Sequence, residues 1–301
     1  MFGPRQSVNP SLTSMSVVRP PARSLVASLL LLALAGCGSD SGGGGFELRT
    51  TDRATSGSTP IEVKGLWMVY LASEGFSGPV GTDLNNDGDT LDDVAVVVNL
   101  STTDTDELGV AAERAVVQGN EIYLVVDEAQ DGTDWNGVNG ATDLVLLHWS
   151  NTAGVVAFVD TLGSGGSPLL FAVEDRLYYE SDTSPVGADD TSLRYLANAA
   201  PLAPVLIESA VGAGQFEPEL LDEVNGLLFL GLDEDAVSDF NGDGDQGDQH
   251  VLALLDGTDP AARVLNTELA LLDGSAPVAA LVLGASDWLV AFLVDELGQA
   301  A

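Results

Sequence analysis

Two ten-residue stretches of this 301-residue chain carry the side chains best suited to chemistry. The first offers Asp83, Asn85, Asp87, Asp89 and Asp92 at positions 1, 3, 5, 7 and 10. The second offers Asp239, Asn241, Asp243, Asp245 and Asp248 at the same positions. Donors at alternate positions of a tightly turned backbone can aim at one centre, and calcium takes six to eight such hard oxygen ligands. Gly88 and Gly244 stand at position 6, where the chain must turn sharply. Four carboxylates within ten residues repel one another, and a bound cation relieves that repulsion. Asp, Asn and Gly are also ordinary turn formers, so an acidic, metal-free surface turn is the competing reading. A weaker copy keeps Asp134, Asn136 and Asp143 at positions 1, 3 and 10 but has Val138 at position 5, and weak or no calcium binding is expected there. Around Asp182, Asp189 and Asp190 the pattern is lost.

These loops recur because the chain repeats. After residue 60, five units each open with a short apolar run, a tight turn and a longer apolar run, the arrangement of a hairpin. The first runs from Ile61 through Lys64 and Gly65 to Leu71, and the fifth from Val278 through Ser286 and Asp287 to Val294. A third run follows the loop at Val94 to Val98, Leu144 to His148, Leu193 to Leu196 and Val251 to Leu255. A fourth is expected at Val155 to Val159, Val205 to Ile207 and Arg263 to Leu265, and faintly near Leu108 to Ala111. Four strands per unit of roughly 50 residues predict an all-β fold, a β-propeller of four-stranded blades with about five repeat units, the last incomplete. A truncated ring, or closure by a strand from Phe46 to Thr50, would each account for the short last unit. No stretch after Cys37 has a convincing helical stripe, the nearest being Ala261 to Leu272.

A glutamate follows each second run: Glu74, Glu128, Glu180, Glu234 and Glu296. It can be a further metal ligand or a structural strand-end residue, and the structural role is preferred. His148 and His250 are read as satisfied strand histidines, because no zinc or triad partners accompany them. Trp67 and Trp288 are expected in the core, and Trp135, inside a loop, is the best candidate for an exposed aromatic. Gly163 to Gly166 lacks the lysine of a phosphate loop and reads as a turn.

Formal net charge is -36, with seven basic against 46 acidic residues from Cys37 onward. Such a surface repels nucleic acid and attracts cations, and it also serves solubility or adaptation to salt. With one cysteine, no disulfide within the chain is possible. That cysteine closes a leader. Arg19 and Arg23 form a basic region, Ser24 to Ala35 is an apolar run too short to span a bilayer, and Leu34, Ala35, Gly36 and Cys37 end it. The four resemble the lipobox of bacterial lipoproteins. That resemblance implies cleavage before Cys37, lipidation of its thiol and, with Gly38 rather than Asp next, export to the outer membrane. The expected domains are a signal peptide over 1–36, a lipidated cysteine with a Gly/Ser-rich tether over 37–59, and the repeat over 60–301.

The acidic loops resemble the Asp-x-Asn-x-Asp-Gly calcium loop of EF-hands, dockerins and FG-GAP/VCBS propeller repeats. An EF-hand would carry Glu at position 12, where Val94 and His250 stand here, and the strand context is similar to the FG-GAP/VCBS repeats. In those repeats the last Asp falls at position 9, whereas here it is at position 10. Together these readings predict a lipid-anchored, exported, calcium-binding propeller that acts as a binding or structural module of the cell envelope. Its partners would be the bilayer, through acylated Cys37, and an envelope protein or glycan. The alternative is an envelope hydrolase or lyase that acts on polysaccharide through channel carboxylates.

Overall fold

The computed structural model describes residues 53–56, 60–78, 80–138, 140, 143–162, 169–182, 191–207, 218–234, 239–243, 250–259, 261, 264–271, 279–282 and 288–291. Within them lie four consecutive antiparallel sheets of four strands each. Sheet one is β1 (Glu62–Lys64), β2 (Trp67–Ser73), β3 (Asp93–Asn99) and β4 (Thr105–Ala111). Sheet two is β5 (Arg114–Gln118), β6 (Glu121–Asp127), β7 (Leu144–Ser150) and β8 (Val155–Thr161). Sheet three is β9 (Leu170–Val173), β10 (Arg176–Asp182), β11 (Thr191–Ala197) and β12 (Ala200–Leu206). Sheet four is β13 (Pro218–Val224), β14 (Leu227–Leu232), β15 (Val251–Asp256) and β16 (Leu265–Ala270). A two-stranded ladder, β17 (Ala279–Val282) with β18 (Trp288–Ala291), opens a fifth unit.

In every sheet the strands pair in sequence order, so each is a simple up-and-down meander. Consecutive sheets stack face to face, as the apolar clusters show. Val69, Leu71 and Val97 of sheet one pack with Ile122, Leu124 and Leu147 of sheet two. Tyr123 and Leu146 of sheet two meet Leu177 and Tyr179 of sheet three, and Tyr178 and Leu193 meet Leu228 and Leu230 of sheet four. Trp67 and Trp149 join sheets one and two edge-to-face, with ring centroids 5.3 Å apart at 74°. This is a β-propeller. The middle strands are covered on both faces, which is why Val94 to Val98 and Ile122 to Val126 are unbroken apolar runs without alternation.

The outermost strands behave differently. Residues Thr105 to Glu107 are exposed, and charge outnumbers apolar character there, so β4 left only a faint trace in the sequence. β12 carries Pro201 and Pro204, which cannot donate to another strand. A β-bulge interrupts the pairing of each outer strand with its neighbour in all four sheets. Bulges and prolines protect such edges from pairing with other chains. The fourth run expected at Arg263 to Leu265 is a strand displaced toward the C-terminus, and β16 occupies the stretch that had come nearest to a helical pattern. One helical turn, α1 (Glu128–Asp131), had no sequence signal because four residues are too few to show a period. Phe46 to Thr50 lie outside the described residues. Thr55 instead bridges Ala72 and prolongs the β1 edge of β2.

Polar contacts also cross between blades. Lys64 donates to Gln118 (2.9 Å), and Gln118 donates to the carbonyl of Glu174, linking equivalent positions of three blades. Asp160 of β8 accepts from Tyr179 Oη (2.9 Å) on β10 and from Arg194 (3.2 Å) on β11. Burial first, and the Asp160 carboxylate second, push the Tyr179 phenol up, so it remains a donor at ordinary pH. Asp160→Ala would strand a buried hydroxyl and a half-buried guanidinium, at a cost of about 2–3 kcal/mol. The expected thermal unfolding midpoint falls by roughly 5–10 °C. Adding Tyr179→Phe to that variant should recover part of the loss, and an unchanged midpoint in Asp160→Ala would refute the linkage.

Candidate metal centre

In blades one, two and four the glutamate that follows the second strand organises the loop beyond it. Glu74 is fully buried, and its Oε1 accepts the amides of Leu84 (2.5 Å) and Asn85 (3.3 Å), while Oε2 accepts that of Asp92 (3.4 Å). Glu128 is also fully buried, and it repeats the pattern with Trp135 (2.7 Å), Asn136 (3.1 Å) and Asp143 (3.3 Å). Glu234 accepts from Phe240 (2.7 Å) and Asn241 (3.2 Å). One buried carboxylate therefore satisfies the amides of positions 2 and 3, and in two blades that of position 10 as well. In the third blade, Glu180 turns to the amide of Leu220 in the next blade. Burial raises its pKa to about 7, against the opposing effect of that hydrogen bond. Glu296 lies outside the described residues.

Within the loops the side chains at positions 1 and 3 cap the turn. Asp83, Asp134 and Asp239 accept the amide of position 4 at 2.6, 2.7 and 2.6 Å. Asn85, Asn136 and Asn241 accept that of position 5 at 3.3, 2.8 and 3.0 Å. These Asx turns need a left-handed residue at position 4, supplied by Asn86 (φ 65°), Gly137 (φ 70°) and Gly242 (φ 77°). The sequence placed the sharp turn at position 6 alone. Gly88 (φ 107°) does turn there, but position 4 turns as well. Position 2 is an apolar plug: Leu84, Trp135 and Phe240 each pack into a blade core. Trp135 is consequently not an exposed platform. It is half-buried, and its Nε1 donates to Asp131 (2.7 Å), whose other oxygen accepts the amide of Ala111 (2.8 Å).

In the first loop, oxygens of Glu74, Asp89 and Asp92 lie within 4.8 Å of one another. The Asp87 carboxylate lies beside Asp92 and accepts the amide of Asp89 (3.0 Å). Burial, then the charges of Asp87, Asp89 and Glu74, raise the pKa of Asp92 to about 7. Positions 7 and 10 converge with the strand-end glutamate and position 5 lies beside position 10, while Asp83 Oδ2 is turned toward the amide of Gly88 (3.2 Å). A donor set of crowded, hard carboxylate oxygens fits a dication such as calcium. The second loop differs at the two positions that crowd Asp92: Val138 and Gly140 replace Asp87 and Asp89. What remains, Asn136 donating to Asp143 (2.8 Å), needs no cation. In the fourth blade Asp239, Asn241 and Asp243 repeat the frame, while Asp245 and Asp248 lie outside the described residues, as do Asp189, Asp190 and Gly163 to Gly166.

The strand-end glutamate is thus structural, as preferred from the sequence, and in blade one it also contributes to the carboxylate cluster. Its bonding could not be read in advance, but the apolar residue at position 2 of all three loops was a visible sign that the loops fold against the blade. Both histidines are partnered. His148, on β7, lies 2.5 Å from Glu121, and His250 lies 2.6 Å from Glu219. The His250 hydrogen bond and charge hold the Glu219 carboxyl below its usual range. Trp67 and Trp149 are core residues. The Trp288 side chain and Cys37 lie outside what is described.

No protein-family model matches the chain, and no curated protein matches it. Among solved structures, one similar chain belongs to the crystal structure of a nidogen/laminin complex, at 11% identity and a TM-score of 0.31, covering 68% of this chain. The chain spans 62% of that neighbour, less than two thirds of its length. Another is the β-propeller domain of the Trilobed protease from Pyrococcus furiosus, described as having an open velcro topology. It is 7% identical with a TM-score of 0.34, and 71% of each chain is covered.

Proposed function

We propose that this protein is an exported, lipid-anchored, calcium-binding β-propeller that serves as a binding or structural module of the cell envelope. The observation that supports it most is the loop frame. The same amide-bracing glutamate and Asx turns recur in three blades, and in blade one, where positions 5 and 7 are acidic, carboxylates of positions 7 and 10 gather with that glutamate. A loop that needed only to turn would be complete with the blade-two residues, so the added carboxylates of blades one and four have another use. Asp83, Asn85, Asp87, Asp89 and Asp92 would hold one calcium ion, with Glu74 behind them. Asp239, Asn241, Asp243, Asp245 and Asp248 would hold a second. Bound calcium would neutralise the crowded carboxylates and tie the end of the second strand to the start of the third. Asp134, Asn136 and Asp143 would form a metal-free counterpart. The envelope partner, a protein or a glycan, would meet a scaffold stiffened in this way.

The anchor rests on the basic region, short apolar run and Leu34–Cys37 lipobox. Cells fed a radiolabelled fatty acid should incorporate label into the wild-type protein and not into Cys37→Ser. Globomycin should make the uncleaved precursor accumulate. Label persisting in Cys37→Ser would remove lipidation at this residue from the reading.

A further inference from the structure

The most exposed large apolar side chains among the described residues are Val80 (90%), Leu91 (85%) and Phe76 (78%), and all three belong to the one connection between β2 and β3. That connection also holds the acidic loop, in which Asp87 and Asp89 are exposed and Asp83 is half-buried. These carboxylates accept the loop's own amides, and the three apolar side chains have no cover beside them. Exposed apolar groups gathered at one end of a blade indicate a contact surface rather than scattered surface residues.

The course of the chain says what lies near that end. The Ala54 carbonyl accepts the Ser73 amide (2.9 Å), and the Ser56 amide donates to Leu71 (2.8 Å). Thr55 is antiparallel to Ala72, so the described residues from Ser56 back to Arg53 run in the direction from Leu71 to Ser73, toward the end that carries Phe76, Val80 and Leu91. Arg53 stands sixteen positions after Cys37, and that stretch fully extended reaches at most about 55 Å. β2 has seven residues and is about 23 Å long, so presenting its opposite end to the anchor would consume nearly half of that reach.

We infer that the β2–β3 connection is the membrane-facing end of the first blade, and that Phe76, Val80 and Leu91 enter the headgroup region of the bilayer that holds the acylated Cys37. The inference rests on the lipid anchor proposed above, and it is independent of calcium. Zwitterionic lipid suits it, because the flanking carboxylates disfavour an anionic surface. Three apolar side chains of this kind penetrate only to the boundary of headgroups and acyl chains, and the tether supplies the rest of the attachment.

The test uses the mature lipidated protein in phosphatidylcholine vesicles whose acyl chains are brominated near the headgroup. Leu91→Trp and Val80→Trp place reporters on the proposed face, and Leu66→Trp, on the turn at the opposite end of β2, is the control. The added emission of the first two, relative to wild type, should fall by about half on brominated lipid, since such side chains sit at the acyl boundary. That of Leu66→Trp should not change. Protein that sediments with vesicles while all three reporters stay unquenched would overturn the inference and leave the anchor standing. Protein that fails to sediment would overturn both. Reporters at positions 80 and 91 that are shielded from aqueous iodide but untouched by bromine would show a protein surface there, a second copy or another partner, and would also overturn it.

Discussion

Chelating divalent cations from the mature protein is expected to lower its unfolding midpoint by roughly 10–20 °C. The figure follows from mass action. Each site held at a hundred times its dissociation constant adds about 2.7 kcal/mol to the folded state, so two sites add about 5 kcal/mol. A domain of this size shifts its midpoint by about 2–4 °C per kcal/mol. Calorimetric titration with calcium should show two binding events. Asp92→Asn and Asp243→Ala should each remove one of them, and Asp134→Ala should remove neither. Asp92 is the informative position in blade one, because burial and the charges of Asp87, Asp89 and Glu74 bear on it together. No heat of binding, together with no response to chelator, would end the calcium reading. Two events that survive both substitutions would leave calcium in place and discard these ligands.

Glu128→Ala is expected to cost on the order of 3 kcal/mol, about 6–12 °C in midpoint, whether or not calcium is present. Its carboxylate is fully buried and takes the amides of Trp135, Asn136 and Asp143. Removal leaves those donors without an acceptor, and Trp135 and the Asp131 bridge to Ala111 lose their support. Glu128→Gln retains one acceptor oxygen and should lose about half as much. Glu74→Ala has the same structural cost and should also abolish one calcium event. The contrast separates the two uses of one residue type, since blade two has the brace without the carboxylate cluster. A midpoint within a degree or two of wild type in Glu128→Ala would show that water replaces the carboxylate and that the brace contributes little.

The strands legible in the sequence were those buried on both faces. β3, β6 and β15 read as continuous apolar runs, because stacked blades leave neither face to solvent. The outer strands follow no such rule. Only one neighbour pairs with each, and their solvent-facing residues are free to be polar, so β4 was faint and β16 was misplaced. The acidic loops were legible because Asx turns are local: position 1 reaches position 4, and position 3 reaches position 5. The partners of Glu74 lie ten, eleven and eighteen residues away, beyond the range of any local pattern. Trp135 shows the limit in the other direction. A tryptophan inside a polar loop suggested exposure, and packing against the core of blades one and two drew it inward.

By itself, the sequence determined the repeat, the four-stranded unit and the position of the oxygen donors, all of which follow from periodicity and turn chemistry over a few residues. It also carries the basic region, apolar run and Cys37 of the proposed leader, a linear pattern that needs no fold to be read. Tertiary structure decided which donors converge. It gathered Asp89, Asp92 and Glu74, and set Asp160, Tyr179 and Arg194 together across two blades. The reason is that a carboxylate's role depends on what surrounds it once water is removed. Those surroundings come from strands and blades that are distant in the chain.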